Sequence, residues 1–327
     1  MSYSQILKNF LPMDLAQMRP AGFLERMERG GREKQQKIME KHGWEPVRQC
    51  PVCDSSLSTV ELRKFDTEIL NCGDCSTRYA ARRPVVTEDI YSDDSYIPVM
   101  MENYLQNAAY RKARFGPERI ALIQKYLRPG GRPALLDVGC GVGWFLEVAR
   151  EQGFEIFGQE AGRGLARWTG DRLGREIYTQ PLAELAQIQR FDVITLFDVL
   201  EHVPFPALFV QDVKACLKPG GIAVFFTPNF DSLAIRVMAE RSNLIIPAEH
   251  LTYFTKKSVE TLAAKTQLEW VVYETCGIDL GDLKSFYESQ NQQPLAEACA
   301  GLYNYLQPVI DAAEAGNHMR FVFRRKE

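Results

Sequence analysis

No apolar run in the 327-residue sequence approaches the roughly 20 residues that a membrane-spanning helix needs; the stretch 222–227 is among the longest. Neither sign of charge is in excess. Thirty-nine Lys+Arg face 42 Asp+Glu, a net −3, which removes any overall attraction to nucleic acid or to an anionic membrane. Histidine is scarce, at four residues, so candidates for a base that works near neutral pH are few. The opening MSYSQILKNFLPMD has no basic stretch followed by an apolar one, so no signal peptide and a cytoplasmic location are expected. Internal repeats and low-complexity tracts are missing. With 46% hydrophobic and 25% charged residues, the composition excludes a disordered or fibrous chain.

What is present changes character along the chain. At roughly 100–200 residues per domain, the length predicts two domains, or one large domain with an accessory module. We read a helical N-terminal segment, 1–46, a small cysteine-bearing unit, 47–86, and an alternating unit, 87–327. Pro12 and Pro20 punctuate two expected helices, because proline removes a backbone donor and clashes with the preceding turn. From Ala21 to about Lys41 the segment is rich in charge, with Phe23, Leu24, Met27, Ile38 and Met39 among its apolar residues. It is expected to be a solvated helix leaning on the body of the protein. The alternative is a lid or a dimer arm, making an oligomer through the N-terminal helices.

A helical pattern over 93–127 ends at Arg128-Pro-Gly-Gly-Arg-Pro. Strands are then predicted at 134–138, 155–159, 176–178, 191–197, 222–227 and 268–275, and helices at 144–152, 165–173, 205–217 and 257–265. The helix at 205–217 is expected to bury Phe205, Leu208, Phe209, Val213, Cys216 and Leu217 along one side. Such alternation predicts an α/β fold, a mostly parallel sheet with helices on both faces. Arg320-Phe-Val-Phe-Arg reads as a strand at or near the sheet edge, preceded by a helical insertion at about 280–314.

Of eight cysteines, Cys140, Cys216, Cys276 and Cys299 are scattered, and four form two pairs. Cys50-Pro-Val-Cys53 and Cys72-Gly-Asp-Cys75 are separated by 18 residues, a spacing suited to a four-thiolate zinc site with a β-hairpin between the knuckles. A redox dithiol would more often be a single pair at a helix start. Four thiolates leave zinc no open position, so the expected Zn(2+) is structural. From Cys50 to Arg83 there are five basic and five acidic residues, which favours substrate recognition or packing over gripping a phosphate backbone.

Leu135-Leu-Asp137-Val-Gly139-Cys140-Gly141-Val-Gly143-Trp is an apolar strand running into an acid, then glycines at alternate positions, then a helix. The glycines allow a sharp turn and let a ligand lie against bare backbone. The spacing is GxGxG rather than GxGxxG, and Asp137 would repel a pyrophosphate but suits a ligand carrying an ammonium group. About one β-α unit later, Glu160 ends the next strand, where a carboxylate can accept both ribose hydroxyls of a nucleoside.

These motifs, with Phe191-Asp-Val-Ile-Thr-Leu-Phe197-Asp198-Val-Leu-Glu201-His202 and Leu217-Lys-Pro-Gly-Gly221, resemble the class I S-adenosylmethionine-dependent methyltransferases. The resemblance runs from about Tyr91 onward, and points to the subgroup holding ubiquinone-biosynthesis-type and other small-molecule enzymes. It implies a Rossmann-like seven-stranded sheet whose last strand, about His318 to Arg324, is antiparallel. It also implies S-adenosyl-L-methionine as cofactor. Gly139, Cys140, Gly141 and Gly143 would lie against its methionine part with Asp137 behind them. Glu160 would bind the ribose, Ala161 and Leu182 would flank the adenine, Phe197 and Asp198 would line the sulfonium, and Tyr96 would cap it. The family often has an acid near position 182, where this chain has Pro181-Leu182. No N/D-P-P-Y/F motif follows the fourth strand, against methylation of exocyclic nucleobase amines.

A hydroxyl acceptor needs a base; His202 opens the loop after the fourth strand, on the ligand edge, and His250 lies after the fifth strand in a segment that resembles the one crossing the acceptor side in this subgroup. Each also has a structural alternative: His202 capping its turn, His250 supporting the segment Pro247-Ala-Glu-His250-Leu-Thr-Tyr253-Phe-Thr255. Asn229 is a weaker candidate, and Trp168, Phe226, Phe230 and Tyr253 are candidates for an aromatic substrate wall or for core. His42 and His318 are expected to be solvated or structural. Thr255 reads as the N-cap of the helix that follows. The expected activity is O-methylation of a small metabolite or sugar derivative. The alternatives are an RNA methyltransferase holding its substrate with the zinc ribbon, a C- or N-methyltransferase of natural-product biosynthesis, or a scaffold that binds the cofactor without turnover.

Overall fold

A computed structural model describes residues 10–85, 97–128 and 130–327. The described residues open with one helical turn, α1 (Leu15–Met18), and a long helix, α2 (Phe23–Lys41), that buries Leu24, Gln35 and Ile38. Strands β2 (Ser58–Lys64), β3 (Thr67–Cys72) and β4 (Arg78–Ala80) form an antiparallel sheet, and β1 (Trp44–Pro46) pairs separately with β5 (Arg82–Pro84). Helix α3 (Ile97–Tyr126) leads to the main sheet.

That sheet alternates with helices as β6 (Ala134–Val138), α4 (Trp144–Glu151), β7 (Glu155–Gln159), α5 (Arg163–Leu173), β8 (Ile177–Tyr178), α6 (Leu182–Ile188), β9 (Phe191–Phe197), α7 (Pro206–Cys216) and β10 (Leu217–Pro228). After α8 (Leu233–Met238), β11 (Thr252–Tyr253) and α9 (Lys256–Thr266) come β12 (Glu269–Cys276), α10 (Asp279–Ser289), α11 (Gln293–Ala312) and β13 (His318–Arg324). The seven strands lie in the order β12-β13-β10-β9-β6-β7-β8. Strands β10, β9, β6, β7 and β8 pair in parallel, and β13 runs antiparallel between β10 and β12, one strand in from the edge. This is the seven-stranded α/β architecture expected, with the last strand reversed.

Apolar side chains on alternate positions feed two cores. Phe225, Phe321 and Phe323 fill one face, with the Phe225 and Phe321 rings stacked at 4.7 Å. Val193, Val224 and Val322 on the other face meet Ile120, Ile123 and Phe145 from α3 and α4. One expectation needs correcting. Helix α7 buries Ala207, Val210, Val213 and Cys216, while Phe205 and Leu208 are 52% and 59% exposed. The inward face is rotated by about one position, and Phe205 packs instead under the Arg83 guanidinium, 4.2 Å from its ring centroid. Thr255 caps α9 as expected, its Oγ1 accepting from the Ser258 N–H at 3.2 Å. Among the described residues no helix is long and apolar enough to cross a membrane.

Phe225 is wholly buried between two other phenylalanines, so Phe225→Ala should lower stability by about 3–5 kcal/mol, measured by urea denaturation.

Candidate active site

At the carboxyl end of β6 the backbone enters a turn that favours glycine. Gly139, Gly141 and Gly143 have φ of 63°, 53° and 71°, in the left-handed region. A Cβ on Gly139 would stand 2.7 Å from Val199 Cγ2, and one on Gly143 2.8 Å from Thr169 Cγ2. At Gly141 nothing lies within 4 Å of that position, so its backbone faces open space against which a ligand can lie. Cys140 is buried beside it. The Glu160 carboxylate accepts from the N–H groups of Gly141 and Gly162, each at 3.0 Å, and so ties the turn to the end of β7. Burial raises its pKa, and Ala161 next to it is exposed.

Asp137 is 4% exposed and accepts from Thr195 Oγ1 at 2.6 Å. Burial pushes its carboxyl up to about 7. Phe197 ends β9, and Asp198 follows in the left-handed region with an exposed side chain. Arg119 of α3 joins these residues, its guanidinium 3.8 Å from the Phe197 ring centroid and 4.8 Å from that of Trp144. The sequence carries no signal for it, since a cation on an amphipathic helix ordinarily faces water. Tyr96 lies outside the described residues. Leu182 is 3% exposed and its carbonyl accepts from Cys216 Sγ, so its side chain packs in the core rather than the cleft.

On the acceptor side, β9 runs into a single 3-10 turn, Leu200–His202. Glu201, 2% exposed, accepts from Thr227 Oγ1 at 2.8 Å through its carboxylate and from the Leu251 N–H through its carbonyl. His202 Nδ1 lies 2.9 Å from the Glu249 carbonyl, and His250 Nδ1 lies 2.8 Å from that of Leu244. A carbonyl can only accept, so each Nδ1 carries the proton and each Nε2 keeps its lone pair. The two rings are 4.8 Å apart, and burial lowers both pKa values, that of His202 well below its ordinary value. Burial also pushes Glu201 up to about 8. One donor atom from each of Glu201, His202 and His250 falls within 4.8 Å of the others, a set that can hold a divalent cation.

The remaining candidates separate. Asn229 is fully buried, its amide donating to the Gly316 carbonyl and accepting from the Asp231 N–H, so it supports backbone. Phe230 and Tyr253 pack in a core cluster, and Trp168 lies under Arg172. His318, set aside on sequence grounds, instead reaches the ligand edge, stacked on Phe226 at 4.8 Å and opposite Pro228. Its place depends on β13 pairing with β10, which no local pattern encodes.

Cys50, Cys53, Cys72 and Cys75 converge, with Cys50–Cys75 and Cys53–Cys72 sulfurs 3.5 Å apart. A tetrahedral zinc with Zn–S of about 2.3 Å has S···S edges of about 3.8 Å, so the donors fit the ion. The knuckle turns are closed by Asp54 N–H to the Cys50 carbonyl and Ser76 N–H to the Cys72 carbonyl.

A family model described as "Methyltransferase domain" matches residues 106–273, just over half of the chain. The chain belongs to this family. It is a class I S-adenosylmethionine-dependent methyltransferase. A ubiquinone biosynthesis O-methyltransferase of Histophilus somni is 31% identical over 179 residues, which cover 50% of this chain and 75% of that one. One from Idiomarina loihiensis is 36% identical over 123 residues, covering 36% and 51%. The chain spans about half the length of most of these curated relatives. A solved S-adenosylmethionine-dependent methyltransferase from Archaeoglobus fulgidus covers 70% of this chain at a TM-score of 0.47 and 16% identity.

Asp137 generates a test of this methyltransferase's pH response. Its raised pKa means the folded protein keeps a proton that the unfolded chain has released above about pH 4. Stability should therefore fall as pH rises from about 4 to about 7, by about 1.4 kcal/mol per unit from this group. Urea denaturation across that range should show a shallower fall for Asp137→Asn.

Proposed function

We propose that this enzyme methylates a hydroxyl oxygen of a small cytoplasmic acceptor, with a neutral histidine at the carboxyl edge of the sheet taking the proton. The observation that carries the reading is the pair of half-buried imidazoles, His202 and His250, each with Nδ1 tied to a carbonyl, with His202 Nε2 3.9 Å from the Glu201 carboxylate. That the curated relatives are O-methyltransferases supports oxygen as the acceptor atom.

Bound S-adenosyl-L-methionine supplies a methyl group on a sulfonium. Gly139, Cys140, Gly141 and Gly143 would receive its methionine part, and Arg119 has the charge and position to meet the carboxylate. Glu160 would hold the ribose hydroxyls while still accepting from Gly141, because a carboxylate has about four lone-pair sites. Ala161 would flank the adenine, and Asp137, Phe197 and Asp198 would face the cationic end. The reaction is an in-line displacement, so holding the acceptor in line supplies much of the rate. With the sulfonium supplying the methyl group, an imidazole Nε2 of His202 or His250 would take the acceptor hydroxyl's proton. We further assign residues 47–86 as a structural zinc ribbon ahead of a methyltransferase unit at 87–327, with α10 and α11 as its insertion. A second reading, favoured by the convergence of Glu201, His202 and His250, has these three hold a divalent cation that acidifies the acceptor hydroxyl.

S-adenosylhomocysteine should bind in calorimetry, and Glu160→Ala or Arg119→Ala should weaken it by about ten- to a hundredfold, the worth of a charged hydrogen bond. In a methyl-donor assay over pooled metabolites and RNA, a small molecule should take the label. His250→Ala should then slow transfer by about a hundredfold or more with S-adenosylhomocysteine affinity unchanged. Full turnover in that variant would end the base assignment, and loss of turnover to a chelator that leaves the four-thiolate zinc in place would establish the cation instead.

A further inference from the structure

We propose that the zinc ribbon is a positioning element for the acceptor-side histidines, coupling occupancy of the four-thiolate site to the placement of His250 and His202. The function of those histidines rests on the reading above; their placement does not.

The four-stranded sheet that contains the ribbon is not made by the ribbon alone. Its order is β11-β4-β3-β2, and β11 comes from the segment that crosses the acceptor side. Thr252 pairs with Tyr79 and Tyr253 with Arg78, and the Ala80 N–H donates to the Leu251 carbonyl at 3.1 Å. His250 is the residue before that carbonyl, and the Glu249 carbonyl before it receives the His202 Nδ1 proton. A displacement of Leu251 therefore moves both imidazoles. Further contacts hold the same segment. Lys64 of β2 donates to the Ser242 carbonyl at 2.6 Å, Lys34 of α2 pairs with Glu249 at 2.9 Å, and Ile69 and Ala80 share an apolar cluster with Leu244, Ile245 and Tyr253.

The second knuckle connects this clamp to the metal. The Cys72 N–H donates to the Thr77 carbonyl at 2.9 Å, the Thr77 hydroxyl lies 3.0 Å from Cys75 Sγ, and β4 begins at the next residue. Thr255 Oγ1 reaches the Ser76 carbonyl at 3.4 Å from the far side of β11. Strands of three and two residues do not persist without something to fix them, and a tetrahedral ion held by the four thiolates would fix β4 from the knuckle side. The cofactor turn at Gly139–Gly143 and its partner Glu160 belong instead to the seven-stranded sheet. Zinc should thus govern one half of the site and leave the other alone.

The test follows the imidazole nitrogens of His202 and His250 by nitrogen-15 NMR of the full chain, alongside zinc content and S-adenosylhomocysteine affinity. Chelation should release one zinc per chain and shift or broaden both histidine signals, with affinity kept within about twofold, and added zinc should restore them. Ala80→Pro removes the N–H that reaches Leu251 while keeping all four thiols, and should move the same signals with zinc retained. Signals that stay in place after zinc has left would overturn the proposal, as would loss of cofactor-product binding in step with them, which marks collapse of the whole fold. Methyl transfer measured in parallel separates the two readings: displaced histidines with full turnover support the positioning and sink the histidine base.

Discussion

Parallel pairing of β6 with β7 on one side and β9 on the other is the constraint from which the active edge follows. The chain leaves β6 toward β7 and β8, then returns across the sheet to β9 and β10, so the strand order reverses at β6. Loops leaving adjacent strands on opposite sides of such a switch point splay apart and open a crevice. The glycine turn after β6 and the Asp198 turn after β9 form its two walls. Neither wall needs the ribbon or the insertion, yet both place functional groups only because five strands end in register on the same edge.

Two buried acids line this crevice, and the fold treats them alike. Asp137 on β6 receives a hydroxyl from Thr195 on β9, and Glu201 after β9 receives one from Thr227 on β10. Each threonine sits one strand further along the sheet, on a β-branched residue suited to a strand interior. A single neutral hydrogen bond does not offset the removal of a carboxylate from water, so both groups hold their protons more tightly than usual. A cation brought near either one would be met by a latent negative charge.

Most of the sheet was readable because its signals are local. The strands at 134–138, 155–159 and 191–197 appear at the predicted positions, since continuous apolar runs bounded by glycine or polar turns have one natural reading. Gly139, Glu160 and the cysteine pairs were legible for the same reason: spacing alone brings them together. Helix α7 misled because Phe205 and Leu208 are large and apolar, and only the packed structure shows that Ala207 and Val210 face inward. Arg119 and β11 were invisible, and His318 was expected on its strand but not at the ligand edge. Each reaches its place through pairing between distant segments, and a two-residue strand has no periodicity to detect.

The insertion of β13 between β10 and β12 has a kinetic meaning. Among the described residues β12 has β13 as its only sheet neighbour, so it cannot dock when it is made; about forty mainly helical residues must first emerge and bring His318–Arg324 back. Until then β10 exposes the edge from Ile222 to Pro228, a run of apolar residues with unpaired amides. The nascent chain is therefore most adhesive in the interval after β10 emerges and before β13 returns, with the crevice between β6 and β9 already formed and this sheet contact still missing.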